Sequence, residues 1–206
     1  MRFAACLVIA FACVLLVSIG CSSSDDVINT PPVADGACSN TPGVNNRFVD
    51  CGNGTVTDTQ THLIWLKNAN CFPPQNWDDA MASAAGLKSG DCGLTDHSSA
   101  GNWRLPSLEC PSPSTVCYPY SPIPPTGEFA TIFAPSCGAP YILNTAGTGC
   151  WTEGNPFSGV QVNLYWSSTT YANDPGLVWY VYLGFGNVTL NGKNGTIYVW
   201  PVRGGQ

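Results

Sequence analysis

Charge is scarce in this chain of 206 residues, where seven Lys and Arg stand against thirteen Asp and Glu. Beyond Arg2 the basic side chains are Arg47, Lys67, Lys88, Arg104, Lys193 and Arg203, scattered singly. No basic stripe exists to neutralise a row of phosphates, which argues against nucleic acid as a partner. Histidine is almost missing, with His62 and His97 alone. Neither a Gly-x-Ser-x-Gly elbow nor a His-Glu-x-x-His helix occurs, so two common catalytic arrangements are excluded. An enzyme reading therefore lacks an activated nucleophile or a positioned acid and base, and the expectation is a protein without catalytic activity.

What the chain does have is glycine, proline, cysteine and aromatic residues, a composition for loops and strands rather than a helical bundle. Residues 1–20 read as an export signal. Arg2 gives a positive start, Phe3 to Val17 is an almost unbroken apolar run, and Ser18-Ile19-Gly20 leads into Cys21. That run is short of the about 20 apolar residues a membrane span needs. A cysteine directly after the small residue is similar to a lipobox, with Ser18 where leucine is usual, and it predicts a lipid on Cys21. The alternatives are an ordinary cleaved signal or an uncleaved anchor. Residues 21–45 then read as lipidated cysteine and flexible tether, beginning Ser22-Ser23-Ser24-Asp25-Asp26 and punctuated by Pro31-Pro32, Asp35-Gly36 and Pro42-Gly43. Ser22 after the anchor points to the outer membrane or cell surface of a Gram-negative bacterium. The chain after the signal keeps six basic residues against thirteen acidic, a net charge of −7.

Cysteine arithmetic supports export independently. Cys6 and Cys13 leave with the signal and Cys21 takes the lipid, so eight remain: Cys38, Cys51, Cys71, Cys92, Cys110, Cys117, Cys137 and Cys150. An even number in an exported chain predicts a disulfide framework. Short loops close easily, which favours pairing in chain order: Cys38–Cys51, Cys71–Cys92, Cys110–Cys117 and Cys137–Cys150. Free thiols or metal ligands are the other possibility. Cys71, Cys92 and His97 would suit zinc, but an oxidising compartment favours the disulfide, and no second histidine lies near.

One domain is expected over residues 46–206. Gly52 to Asp58 reads as a turn and a β-branched alternation, with His62 to Leu66 the next strand of a hairpin or meander. A helix starts at Asn76, a good N-cap, with Asp78 and Asp79 in its first turn. Its apolar face is Trp77, Ala80, Met81, Ala84 and Ala85, and Gly90 is the predicted stop. A face so rich in alanine predicts close packing against a sheet. The proline-rich stretch 105–127 excludes a long helix and reads as a loop clipped by Cys110 and Cys117. Glu128 to Phe133 predicts one helical turn or two. Further strands are expected over Leu164–Ser168, Val178–Leu183, Asn187–Leu190 and Ile197–Arg203, with both faces of Val178–Leu183 covered. Gly184, Gly186 and Asn191-Gly192 supply hairpin turns. Asn53-Gly-Thr, Asn187-Val-Thr and Asn194-Gly-Thr fit the glycosylation pattern, and are most simply turn residues in a bacterial lipoprotein.

Six strings occur in an order that resembles one family. They are Arg47–Asp50 with Gly52–Asp58 and Thr61–Leu66; Trp77-Asp78-Asp79-Ala80; Gly90-Asp91-Cys92-Gly93-Leu94-Thr95-Asp96; Asn102-Trp103-Arg104-Leu105-Pro106; Tyr165-Trp166-Ser167-Ser168-Thr169; and Val199–Gly205. Together they resemble the Lcl C-terminal domain family, a bacterial domain of unknown function. That family looks related to the fold of C-type lectins and formylglycine-generating enzymes. The resemblance implies an α+β domain: twisted antiparallel strands, one or two short helices and long disulfide-stapled loops. Glu109-Cys110-Pro111 departs from it, interrupting the helix that relatives carry after the Leu-Pro string. Formylglycine-generating enzymes use a reactive cysteine pair near their C-terminus, and no cysteine follows Cys150 here, so the likeness extends to architecture alone.

Candidate sites follow from these strings. Trp103, Arg104, Trp166 and Arg203 read as structural, a buried aromatic set and guanidinium groups that bond loop carbonyls. Glu153, Asn155, Asn173 and Asp174 are oxygen donors in the loops that would hold calcium and sugar in a C-type lectin. The lectin pairing of Glu-Pro-Asn with Trp-Asn-Asp becomes Glu153-Gly154-Asn155-Pro156 and Ala172-Asn173-Asp174 here, and turn formation explains these residues equally. The same holds for Asp91 and Asp96 beside Cys92. The expected function is a non-enzymatic, membrane-anchored binding or adhesion module for a glycan or envelope polymer, with calcium the one cofactor to consider. An envelope structural or assembly protein is the second reading, and an uncharacterised enzyme on a formylglycine-generating-enzyme-like scaffold the third.

Overall fold

The computed structural model describes residues 37–40, 44–111, 114–117 and 124–204, all within the compact unit Pro32–Gln206. The segment expected to be an export signal and Cys21 lie outside the described residues, as does most of the expected tether. Four disulfides pair the eight cysteines in chain order, as loop closure predicts: Cys38–Cys51, Cys71–Cys92, Cys110–Cys117 and Cys137–Cys150. The first of them moves the start of the folded region ahead of residue 46. Besides its bond to Cys51, Cys38 donates its backbone N–H to Thr57 Oγ1 at 3.1 Å, and the Asn40 amide donates to the Asn46 carbonyl at 2.7 Å. Those contacts fix residues that composition alone assigns to the tether.

The chain opens as a meander of β1 (Phe48–Asp50), β2 (Thr55–Asp58) and β3 (Leu63–Leu66), each antiparallel to the next. Asn53 Oδ1 accepts from the Thr55 N–H at 3.2 Å, and Gly54 holds φ +87 in the first turn. A Cβ at Gly54 would stand 2.7 Å from the Gly93 carbonyl oxygen, so this turn is pressed against the Cys71–Cys92 loop. His62 takes φ 59 in the second turn and leaves the strand to start at Leu63. The last strand, β7 (Val202–Gly204), pairs antiparallel with β3 and completes a four-stranded sheet in the order β1-β2-β3-β7.

The second sheet is β4 (Leu164–Tyr171), β5 (Asp174–Tyr182) and β6 (Asn187–Gly192), antiparallel and in chain order. These strands run longer than the apolar pattern alone marks, because the exposed Asn173 turn pairs Tyr171 with Asp174. The strand expected over Ile197–Arg203 is, by contrast, shorter. Ile197 bridges Gln75, Tyr198 bridges Tyr165, and Pro201 has no N–H to donate, so only the end joins a sheet.

Alternation places the core on both sides of the second sheet. Tyr165, Trp179, Val181 and Val188 face the main cluster, with Trp65, Phe129, Phe157 and Trp200. Trp166 and Val178 face a smaller cluster with Ala80, Ala84, Leu105, Ile197 and Val199. Trp200 is the hub of the larger core: its ring lies 5.0 Å from Phe157, 5.6 Å from Trp65 and 5.5 Å from Tyr165. Its indole N–H donates to the Leu66 carbonyl at 2.7 Å, so the ring is buried with its polar atom satisfied.

Helix α1 (Trp77–Gly86) closes the smaller cluster. Asn76 caps it, with Oδ1 accepting from the Asp79 N–H at 2.9 Å. Leu87 turns to extended backbone and its N–H bonds Ala84, which ends the helix at Gly86 rather than at Gly90. Ala80 and Ala84 are fully buried, whereas Ala85 is exposed, so the packed stripe is narrower than the periodicity predicts. The segment around Glu128 forms a single 3-10 turn, Phe129–Ile132.

Candidate functional site

Three arginines hold distant segments together. Arg203 donates to Asp96 Oδ2 at 2.9 Å and stacks over Trp103 with its guanidinium carbon 5.1 Å from the ring centroid. Asp96 Oδ1 accepts from Ser98 Oγ at 2.8 Å, and that oxygen accepts from the Trp103 indole N–H at 3.0 Å. Arg104 grips Glu128 with both terminal nitrogens and donates to the Gly204 carbonyl at 3.1 Å. Arg47 makes a bidentate bond to the fully buried Asp58, at 3.0 and 2.8 Å, and reaches the Thr131 carbonyl. Trp166 is buried with its N–H on the Gln75 carbonyl at 2.9 Å.

These pairings leave an acidic exterior. Lys67 pairs with Asp50 and Lys193 lies 4.4 Å from the centroid of Trp77, so most of the few cations already have a partner. Asp78, Asp79, Asp91, Glu109, Glu153 and Asp174 have no ion-pair partner among the described residues.

A cleft of about 290 Å³ opens between the end of the second sheet and the Cys110–Cys117 loop, lined among others by Glu109, Pro111, Tyr171, Asn173 and Trp179. Its position follows from the strand irregularity. The register of β4 against β5 shifts on both sides of Thr170, as at a β-bulge, which re-aims the side chains that follow. The freed segment bonds the incoming chain instead: Ser168 N–H donates to the Pro106 carbonyl at 2.9 Å, and Thr169 Oγ1 accepts from the Leu108 N–H at 3.1 Å.

Two walls result. Tyr171 and Trp179 stand edge to face, centroids 5.8 Å apart at 88°, and Asn173 Nδ2 donates to the Tyr171 hydroxyl at 2.9 Å. Opposite them, Glu109 exchanges backbone hydrogen bonds with Thr126 at 3.0 and 2.9 Å, while Cys117 does the same with Val188 of β6. The disulfide between Cys110 and Cys117 thus ties one wall to the sheet that carries the other. The Glu109 side chain is exposed, with no hydrogen bond or ion pair among the described residues.

The residues named from the sequence as a ligand loop occupy two separate loops. Glu153 Oε1 accepts from the Gly159 N–H at 2.9 Å, and Asn155 Oδ1 accepts from Thr145. Asp174 Oδ1 accepts from the Gly176 N–H at 2.9 Å, an Asx turn. The Glu153, Asn155 and Asp174 oxygens are each engaged by a backbone N–H of the chain, and of the four residues only Asn173 lines the cleft. Among the described residues no group of three or more His, Cys, Asp or Glu could hold a metal. Cys71 and Cys92 are bonded to each other, and both histidines sit on exposed turns with positive φ, 59 at His62 and 60 at His97. Burial raises the Tyr165 and Tyr180 hydroxyls above their ordinary value, which keeps both neutral.

Comparison with known proteins finds a similarity over part of this chain. Residues 123–203 match the Lcl C-terminal domain. The Lcl C-terminal match takes in the 3-10 turn, the Cys137–Cys150 loop, all of the second sheet and Arg203, and so one wall of the cleft. Its span is narrower than the order of the six strings suggests, since those from Arg47 to Pro106 precede it. No curated protein and no solved structure matches the chain.

Glu109, Tyr171 and Trp179 carry no sequence motif. A free carboxylate beside a loop-closing cysteine was the one available signal for the first. The aromatic pair depends on a bulge that no spacing announces.

Proposed function

We propose that this protein is an exported, lipid-anchored surface lipoprotein whose C-type-lectin-like domain binds a glycan without catalysing any reaction. The observation that carries the reading is the cleft, in which the Tyr171 ring backed by buried Trp179, the Asn173 side-chain amide and the Glu109 carboxyl group meet. Sugars present apolar ring faces and many hydroxyls, and such a mixture of aromatic and polar groups suits both. The rigidity of the rim lowers the ordering cost of binding. Four disulfides are consistent with an oxidising compartment and with exposure at the outer membrane or cell surface. The acidic exterior disfavours anionic polymers. A glycan array probed with the intact lipoprotein in detergent, with and without calcium, tests the reading. Binding to a defined set of sugars supports it, and silence against every glycan and against envelope extracts removes it.

A second reading, an envelope assembly protein that docks another protein, draws on Phe185. This side chain is 56% exposed at the tip of the β5–β6 hairpin, edge-on to Tyr182 at 4.9 Å. Cross-linking in intact cells that yields one dominant protein partner favours it.

A further inference from the structure

The glycan reading leaves open which sugars enter the cleft, and the charges around it answer that. Among the described lining residues Glu109 is the one ionisable acid, and no Lys, Arg or His joins it. All three arginines of the domain are paired, Arg47 with Asp58, Arg104 with Glu128 and Arg203 with Asp96. Glu109 therefore has no ion-pair partner among the described residues and stands at the mouth of the cleft beside Tyr171. Its backbone is fixed on both sides: Leu108 bonds Thr169, Glu109 bonds Thr126, and Cys110 is tied to Cys117. Trp179 is buried behind Tyr171 with the two rings at 88°, which leaves the half-buried Tyr171 ring as the aromatic surface that a guest beside Glu109 touches.

A carboxylate beside aromatic rings favours a cation, because an ammonium gains from the ring quadrupole and from a charge-assisted hydrogen bond together. Resting on the glycan reading, we propose that the cleft selects amine-bearing sugars, hexosamine units with a free ammonium group, with Glu109 as the residue that sets the preference. An N-acetylated unit presents a neutral amide in the same place, forfeits the charge and adds bulk against Pro111. Uronic acids and sulfated sugars are repelled by Glu109 and by the unpaired acids elsewhere on the surface.

Two tetrasaccharides differing only in the acyl group decide the matter: β-1,4-linked glucosamine and its fully N-acetylated counterpart. Both are titrated against the intact lipoprotein by calorimetry at low and at moderate salt. The free amine is expected to bind about tenfold more tightly, the equivalent of one charge-assisted contact. E109Q is expected to bring that ratio close to one while leaving the fold and the four disulfides unchanged, and Y171A to weaken both sugars together. Equal binding of the two sugars overturns the amine preference but leaves the glycan reading standing. So does an unchanged ratio in E109Q. If neither sugar binds, the amine preference falls, and the wider array decides the glycan reading separately.

Discussion

Arg203 donates to the buried carboxylate of Asp96, 107 positions earlier in the chain, across 2.9 Å. The pair welds the last strand to the segment that follows the Cys71–Cys92 disulfide, and Trp103 lies against the guanidinium. A buried ion pair adds little over an apolar one of equal shape, but losing one partner strands the other charge. R203M is therefore expected to lower unfolding stability by about 3–5 kcal/mol in urea titration of the oxidised protein. D96L combined with R203M should recover a large part of that loss. A single variant within about 0.5 kcal/mol of the parent, the range of ordinary surface changes, would show that the pair is not holding the ends together.

Pairing of the cysteines and the meander of β1–β3 were legible because both are local. Cysteines 7 to 21 residues apart close easily, and Gly52 to Asp58 carries its own turn chemistry. Asn76 marked its helix start for the same reason. The end of that helix was not legible, since Leu87 leaves helical geometry to reach the core, not because Gly90 requires it. Residues 197–203 look like one strand, yet Ile197 pairs with Gln75 ahead of α1, Tyr198 with Tyr165 of β4, and Pro201 with Leu66 of β3. The cleft was least visible, as its two walls meet only through the fold: Glu109 and Tyr171 are joined by a bulge in β4 and by Cys117 against β6.

The two inner disulfides should differ in what they support. Cross-linking restricts the unfolded chain more for longer loops. The Cys71–Cys92 separation of 21 corresponds to about 3.4 kcal/mol and the Cys110–Cys117 separation of 7 to about 2.5 kcal/mol in the chain-entropy account. Replacing each pair with serines should reproduce that ranking in denaturant midpoints. Only the second replacement should also weaken sugar binding, because it frees the wall that holds Glu109. Equal binding by both variants would separate the loop from the site.

Ala84 and Ala85 are neighbours in the same helix with opposite surroundings. Ala84 is fully buried against Trp166 and Val199, while Ala85 is exposed. A84L must force extra methylenes into a closed interface and is expected to cost about 1–3 kcal/mol. A85L should fall within about 0.5 kcal/mol of the parent. Thermal melting distinguishes them directly. Comparable losses would mean that the helix lies differently on the second sheet.

Tyr165 makes the stability of the domain sensitive to alkali. Burial raises its hydroxyl far above the ordinary 10.0, the Gln161 N–H that it accepts at 2.8 Å offsets part of this, and Tyr198 adds to the rise. In the unfolded chain the same hydroxyl ionises near its ordinary value. Below about pH 10 both states hold the proton and the full contribution is present. As pH climbs past that point the unfolded state releases its proton while the folded state keeps it, so stability falls. The slope contributed by one such group is about 1.4 kcal/mol per pH unit. Y165F removes the ionisation and keeps the ring between Trp200 and Tyr198, at the cost of about 1 kcal/mol for the unpaired Gln161 donor at every pH. Urea unfolding of the two proteins between about pH 9 and 11 should therefore show a lower but flatter profile for Y165F. Y180F, at a half-buried hydroxyl that is also raised by burial, should flatten it less. Parallel profiles for the parent and Y165F would show that the Tyr165 proton is not what the folded state protects.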